Sequence, residues 1–104
     1  MDVQEVWALL EQHQGEQFYT AKCLPFCYII RGGELFVNRR SKSITISTVA
    51  AALQKIATRQ AAGEAITAPK KIGCYGAGYL YPMFLNLGII PQPETGKEIL
   101  GNTA

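Results

Sequence analysis

The chain has 104 residues, of which 48% are apolar and 17% are charged. This length suits a single small domain with one hydrophobic core, and the apolar fraction is too high for an intrinsically disordered chain. Ten Lys and Arg against eight Asp and Glu leave a net charge of +2, so the total charge indicates no partner by itself.

The N-terminus lacks the pattern of a secretory signal. It reads MDVQEVWALL, with two acids and no cation, whereas a signal needs a basic start and an unbroken apolar run. The most apolar stretch, 72–90, contains four glycines, a proline and an asparagine, and it falls short of a clean membrane span. We therefore expect a cytoplasmic protein that does not enter a membrane.

The first segment has the pattern of an amphipathic helix. Its apolar residues recur at helical spacing, namely Val3, Val6, Trp7 and Leu10. This stripe predicts a helix over 3–13. Asp2 is a suitable N-terminal cap, and Gly15 is expected to end the helix.

Aromatic and β-branched residues dominate the next region, as they do in strands. Strand-like runs cover 18–20, 26–30 and 35–37. Pro25 limits pairing between the first two runs, so a turn is expected there. The pair Gly32-Gly33 favours a tight primed turn, because both residues can adopt a positive φ. The runs predict three antiparallel strands in meander order.

A second helix is predicted over 47–61, with Thr45 or Ser47 as its cap. Its apolar stripe consists of Val49, Leu53 and Ile56. Alanines beside the stripe favour helix and close packing.

A third helix is predicted to begin between 78 and 81 and to end at Gly88, with Pro82 tolerated in its first turn. The elements together predict an α+β fold in α-β-β-β-α-α order, in which a three-stranded antiparallel meander packs against the helices. We expect one domain over 1–90 and a tail that contains Pro and Gly over 91–104.

Three cysteines and one histidine are the candidate metal ligands. Cys23, Cys27 and Cys74 with His13 form a conceivable Cys3His zinc set. The C-x3-C spacing differs from the usual zinc knuckle, and each thiol has apolar neighbours. An odd number of cysteines also argues against a disulfide framework. We expect free, buried thiols, with no metal and no cofactor.

The sequence also lacks a pattern of catalytic residues. The glycines of segment 73–78 do not follow the order of a dinucleotide or phosphate loop, so they are expected to serve packing. His13 is the only histidine, and no spacing brings it to a cysteine nucleophile. The acids are scattered without a pair for general acid and base work. We expect no enzymatic activity.

The charge is distributed unevenly along the chain. Residues 1–30 sum to −3, residues 31–71 to +6 and the remainder to −1. A basic and hydroxyl-rich loop precedes the second predicted helix, and such groups hold phosphate backbones. The predicted nucleic-acid-binding residues are Arg39, Arg40, Lys42, Ser43, Lys70 and Lys71.

Bulky side chains in the third predicted helix suggest an interface, with ordinary core packing as the other interpretation. They exceed what one helix face buries, so we expect self-association. The predicted interface residues are Tyr79, Tyr81, Met83 and Phe84. The alternative function is therefore a module that binds its own copy or another protein and has no role with nucleic acid.

Overall fold

The computed structural model describes residues 2–91, which form three α-helices, two small antiparallel sheets and a short 3-10 helix. The helices are α1 (Val3–Gln12), α2 (Ile46–Ala61) and α3 (Ala77–Asn86), and the 3-10 helix is Pro69–Lys71. The strands are β1 (Phe18–Tyr19), β2 (Pro25–Phe26), β3 (Tyr28–Arg31), β4 (Glu34–Val37) and β5 (Ile44–Thr45). The predicted α+β class is confirmed. Apart from Pro91, the predicted tail lies outside the described residues.

Helix α1 begins at a capping box. The Asp2 side chain accepts from the Glu5 N–H at 2.9 Å, and the Glu5 side chain accepts from the Asp2 N–H at 3.2 Å. Two amides that the helix leaves unpaired are thereby satisfied. The helix ends at its cap residue His13, and its apolar stripe buries Val6, Trp7 and Leu10.

The Gly-Gly pair forms the hairpin that the sequence predicts. Arg31 pairs with Glu34 across Gly32 and Gly33, whose φ values are +56° and +80°. Two consecutive positive φ values are the geometry of a primed turn, whose twist matches that of the flanking strands.

The strands are grouped differently from the predicted meander. The three-stranded sheet has the order β3-β4-β5, whereas β1 and β2 pair in a sheet of their own. The run 26–30 is divided at Cys27, whose N–H donates to the Asn38 side chain at 3.1 Å. The third strand of the meander is therefore β5, and the run 18–20 belongs to the smaller sheet.

The open edge of β3 is covered by the chain that leaves α1. The Gly15 N–H donates to the Tyr28 carbonyl at 2.9 Å, and the Ile30 N–H donates to the Gln14 side chain at 2.9 Å. An uncovered strand edge invites pairing with another chain, and these two bonds occupy this one.

Helices α2 and α3 begin at residues with different conformations. The Thr45 hydroxyl caps α2 by accepting from the Thr48 N–H at 3.2 Å, which selects Thr45 from the two predicted caps. At α3 the preceding residue is Gly76, with φ +78°, so the helix begins directly at Ala77. Pro82 consequently lies inside the helix and not in its first turn.

Helix α3 is buried on most of its surface. Tyr81, Met83 and Phe84 are 8%, 0% and 0% exposed, because they fill the single core shared by the helices and sheets. These three side chains are therefore core residues, which corrects the predicted interface set, and only the partly buried Tyr79 contributes to the surface. Within the described residues, no helix combines the length and apolar character needed to cross a membrane.

Candidate nucleic-acid interface

The basic loop, residues 38–43, connects β4 to β5 and is thus held at both ends by the three-stranded sheet. The side chains of Arg39, Arg40 and Lys42 are exposed. The Arg40 N–H donates to the Val37 carbonyl at 3.1 Å and tightens the turn where the loop leaves β4. Because β5 follows, the loop does not run directly into α2 as predicted.

Two cations of the basic loop lie over tyrosine rings of the glycine-rich segment. The Lys42 Nζ is 4.6 Å from the ring centroid of Tyr75, and the Arg40 Cζ is 5.8 Å from that of Tyr79. Both distances are typical of cation–π contacts. The Tyr75 hydroxyl also donates to the Lys42 carbonyl at 3.0 Å. The basic loop and the segment 73–79 therefore form one continuous surface.

Gly76 allows these two segments to approach each other. A Cβ on this residue would overlap the Ile44 side chain, lying 2.8 Å from Cγ1 and still closer to Cδ1. Ile44 is 2% exposed and anchors β5 in the core. Only glycine combines this close contact with the positive φ, so Gly76 fixes the position of both tyrosines relative to the loop.

A cleft of about 340 Å³ lies between the basic loop and the start of α3. Arg40, Cys74, Tyr75 and Tyr79 line it together with the small residues 76–78. None of these lining residues is acidic. The cleft thus combines two aromatic side chains with one guanidinium group.

The other predicted nucleic-acid-binding residues are bonded to acidic side chains or lie outside the basic loop. The Ser43 hydroxyl donates to Glu34 at 2.5 Å, so its proton is not available to a phosphate. Lys71 lies 3.9 Å from the Glu64 carboxylate, which also accepts from Arg59 at 2.7 Å. Lys70 is exposed on the 3-10 helix, outside the loop. Of the predicted set, Arg39, Arg40 and Lys42 remain together in the loop.

Two residues outside the predicted set belong to this region. Tyr75, 38% exposed, joins the loop to the cleft. Lys55 approaches from α2, with its Nζ 3.5 Å from the position of a Cβ on Gly73. Burial raises the pKa of the Cys74 thiol, and the charge of Lys55 partly opposes that change. The sequence signal that points to Tyr75 is an aromatic residue among the glycines of segment 73–78.

The cysteines are free thiols, as predicted, but they are not equally buried. Cys27 and Cys74 are partly buried, and Cys23 is exposed because it occupies a turn with φ +64°. Among residues 2–91, no three His, Cys, Asp or Glu side chains are grouped as metal ligands would be.

Comparison of the chain with models of protein families, with curated proteins and with solved structures finds no match. No relative therefore supplies a substrate, a partner or a residue role.

Proposed function

We propose that the protein is a cytoplasmic, non-enzymatic module that binds nucleic acid weakly and without sequence preference through the basic loop. The observation that supports this function is the placement of Arg40 and Lys42 over Tyr79 and Tyr75. The guanidinium and ammonium groups supply charge for phosphates, and the rings beneath them hold the cations on one surface. Arg39 adds a third exposed cation.

Local charge supports the same surface. The segment 31–71 carries a net charge of +6, against −3 for residues 1–30. Two cations of that segment, Arg59 and Lys71, share the Glu64 carboxylate. Arg40 and Lys42 instead lie over neutral rings, and the Arg39 guanidinium donates to the neutral Pro25 carbonyl at 3.4 Å, so these three cations keep their charge for a ligand. Phosphate contacts of this kind give affinity without sequence preference.

The salt dependence of binding tests this function. If about three phosphates are neutralised, the slope of log affinity against log salt is expected to be about −2.7 on duplex DNA and about −2.1 on a single strand. The double variant Arg39→Gln/Arg40→Gln should flatten the duplex slope by about 1.8. The variant Lys70→Gln/Lys71→Gln loses the same charge outside the loop and serves as the matched control, with a slope close to that of the wild type.

Two results contradict this function. One is the absence of binding to any nucleic acid at low salt. The other is an equal slope for the wild type and the Arg39→Gln/Arg40→Gln variant, because a loop that holds phosphates must release fewer counterions when it loses two cations.

The second candidate function is self-association or binding of another protein through the β1–β2 hairpin. Tyr19 and Leu24 are 52% and 42% exposed on this hairpin, and exposed apolar side chains can mark contact surfaces. Light scattering at micromolar concentration tests self-association, with Leu24→Ser as the variant that should restore a monomer. A monomeric mass for the wild type excludes self-association and leaves binding of another protein, which a pull-down from the native cell tests.

A further inference from the structure

The cleft beside the basic loop bears on whether the proposed ligand is a single strand or a duplex. Tyr75 and Tyr79 line it, and the lining residues between them, 76–78, carry nothing larger than a methyl group. We infer, on the basis of the proposed nucleic-acid binding, that the ligand is a single strand with one unpaired base stacked in this cleft.

The dimensions and rigidity of the cleft suit a nucleobase. Its volume of about 340 Å³ lies at the lower end of the range for small-molecule sites, about 300–1,000 Å³. The rings of Phe26 and Tyr79 form a T-shaped pair, with centroids 5.0 Å apart and planes at 76°, so Tyr79 is held in place. Tyr75 is fixed through its hydroxyl bond to Lys42. Bases stack on such fixed rings regardless of their identity.

Two of the first three amides of α3 are already hydrogen-bonded within the chain. The Ala77 N–H donates to the Cys74 carbonyl at 3.2 Å, and the Tyr79 N–H donates to the Gly76 carbonyl at 2.9 Å. These bonds occupy amides that would otherwise face an anion. The phosphates are therefore assigned to Arg40 and Lys42 at the rim, and the base to the rings, which is how proteins that bind single strands divide the two contacts.

Two amides at the start of α2 are likewise already hydrogen-bonded within the chain. The Ile46 N–H donates to the Gly33 carbonyl at 3.1 Å, and the Thr48 N–H is taken by the Thr45 hydroxyl. A site that used charge alone would favour the duplex, because the duplex has the higher charge density. Tighter binding of a single strand than of a duplex therefore indicates that base stacking contributes to the affinity.

Fluorescence anisotropy with labelled oligonucleotides of equal length measures this preference. The probes are oligo-dT, oligo-U and a mixed-sequence DNA duplex, titrated at one low salt concentration. We expect at least one of the single strands to bind about tenfold more tightly than the duplex, which is the effect of one stacked base. Oligo-dT and oligo-U differ in both the sugar and the C5 methyl group of the base, so tighter binding of either one over the duplex is the result that supports the stacked base.

Variants of the cleft separate stacking from charge. Tyr75→Leu should lower single-strand affinity about tenfold and leave the salt slope unchanged, because a neutral ring releases no counterions. Tyr75→Phe keeps the ring and should retain most of the preference. Tyr19→Leu is the control, since Tyr19 is an exposed tyrosine outside the cleft. Circular dichroism confirms that each variant is folded.

The outcomes distinguish the two proposals. If the wild type binds the duplex as tightly as both single strands, or if folded Tyr75→Leu keeps full single-strand affinity, the stacked base is excluded while the proposed function stands. If none of the three probes binds at low salt, the proposed function itself fails.

Discussion

Lys42 and Tyr75 contact each other twice, although 33 positions separate them in the chain. The lysine ammonium lies over the tyrosine ring, and the tyrosine hydroxyl donates to the lysine carbonyl. The backbone and the side chain of one loop residue are therefore both fixed by one aromatic residue. This double contact holds an otherwise exposed loop against the start of α3.

Removal of the Tyr75 hydroxyl should loosen the basic loop. Tyr75→Phe loses the bond to the Lys42 carbonyl and keeps the ring, so we expect the free energy of unfolding to fall by about 0.5–1.5 kcal/mol. Urea unfolding measures this change. Tyr19→Phe is the control, because the Tyr19 hydroxyl meets only the neighbouring Gln17 side chain in an exposed position. Equal effects of the two substitutions would mean that the contact contributes nothing to the loop.

Among the described glycines at positive φ, Gly76 should lose the most stability when it is replaced by alanine. Gly76→Ala introduces a Cβ that overlaps Ile44 and strains the backbone, and we expect a loss of about 2–4 kcal/mol in the free energy of unfolding. Gly63→Ala has a similar φ of +84° and nothing within 4 Å of the new Cβ, so it reports backbone strain alone, about 1 kcal/mol. The double variant Gly76→Ala/Ile44→Val lacks Cδ1, so it should recover part of the stability that Gly76→Ala loses beyond Gly63→Ala. If the effects of the two substitutions simply add, the contact with Ile44 is not the cause of that loss.

Local patterns predicted the features that depend on neighbouring residues. The Asp2 cap and the Gly32-Gly33 turn each require only a few adjacent side chains, and both lie where the sequence indicated. The division of the run 26–30 was not predictable in this way. At this position the Cys27 N–H donates to the side chain of Asn38, 11 positions away, while the Asn38 N–H still donates to the Cys27 carbonyl at 3.0 Å.

The candidate site also depends on contacts between distant residues, which sequence patterns do not report. The sequence identified Arg40 and Lys42 from charge and Tyr79 from aromatic content, but as parts of two unrelated surfaces. Their contact depends on the approach of Gly76 to Ile44, which no local spacing reports. The burial of Phe84 follows from packing on several sides of α3, whereas helical periodicity describes only one face.

Tyr28 should make the protein less stable at alkaline pH. Its hydroxyl donates to the Leu10 carbonyl at 2.6 Å in the core. Burial, with a smaller contribution from the charge of Glu16, raises the pKa of Tyr28 far above its usual value of 10.0. In the unfolded chain tyrosine loses its proton near pH 10, so the unfolded state binds fewer protons above that pH. The stabilisation is therefore complete below about pH 10 and is lost as pH rises toward the folded-state pKa.

Tyr28→Phe isolates this effect. The variant should be less stable by about 0.5–1.5 kcal/mol at neutral pH, because the Leu10 carbonyl loses the Tyr28 donor but keeps the His13 N–H at 3.2 Å. Its free energy of unfolding should then fall less steeply above pH 10 than that of the wild type. Chemical unfolding at a series of pH values measures both slopes. Parallel curves above pH 10 would show that Tyr28 titrates alike in both states.

Phe84→Ala should destabilise the protein without a specific effect on its association. Phe84 is fully buried, and its truncation leaves a cavity that costs about 3–5 kcal/mol. Ile29→Ala is the exposed control, because Ile29 is 44% exposed on β3 and lies outside the β1–β2 hairpin, and a much smaller change in stability is expected there. Urea unfolding gives the stability, and light scattering on the folded fraction gives the mass. A mass change with Phe84→Ala and unchanged stability would instead place this residue at an interface.

Glu34 should weaken nucleic-acid binding through its position at the basic loop. Its carboxylate accepts from Ser43 at the end of the loop, so a negative charge lies beside the proposed phosphate contacts. Glu34→Gln removes that charge and keeps an acceptor for Ser43, and we expect affinity to rise about twofold at low salt and to converge with the wild type as salt screens the charge. Glu11→Gln makes the same change of charge on the exposed face of α1 and should alter affinity less. Anisotropy titrations of the two variants show whether the position of the removed charge or only the net charge of the protein changes the affinity. An equal rise for both would mean that only net charge matters, which is incompatible with binding through the loop.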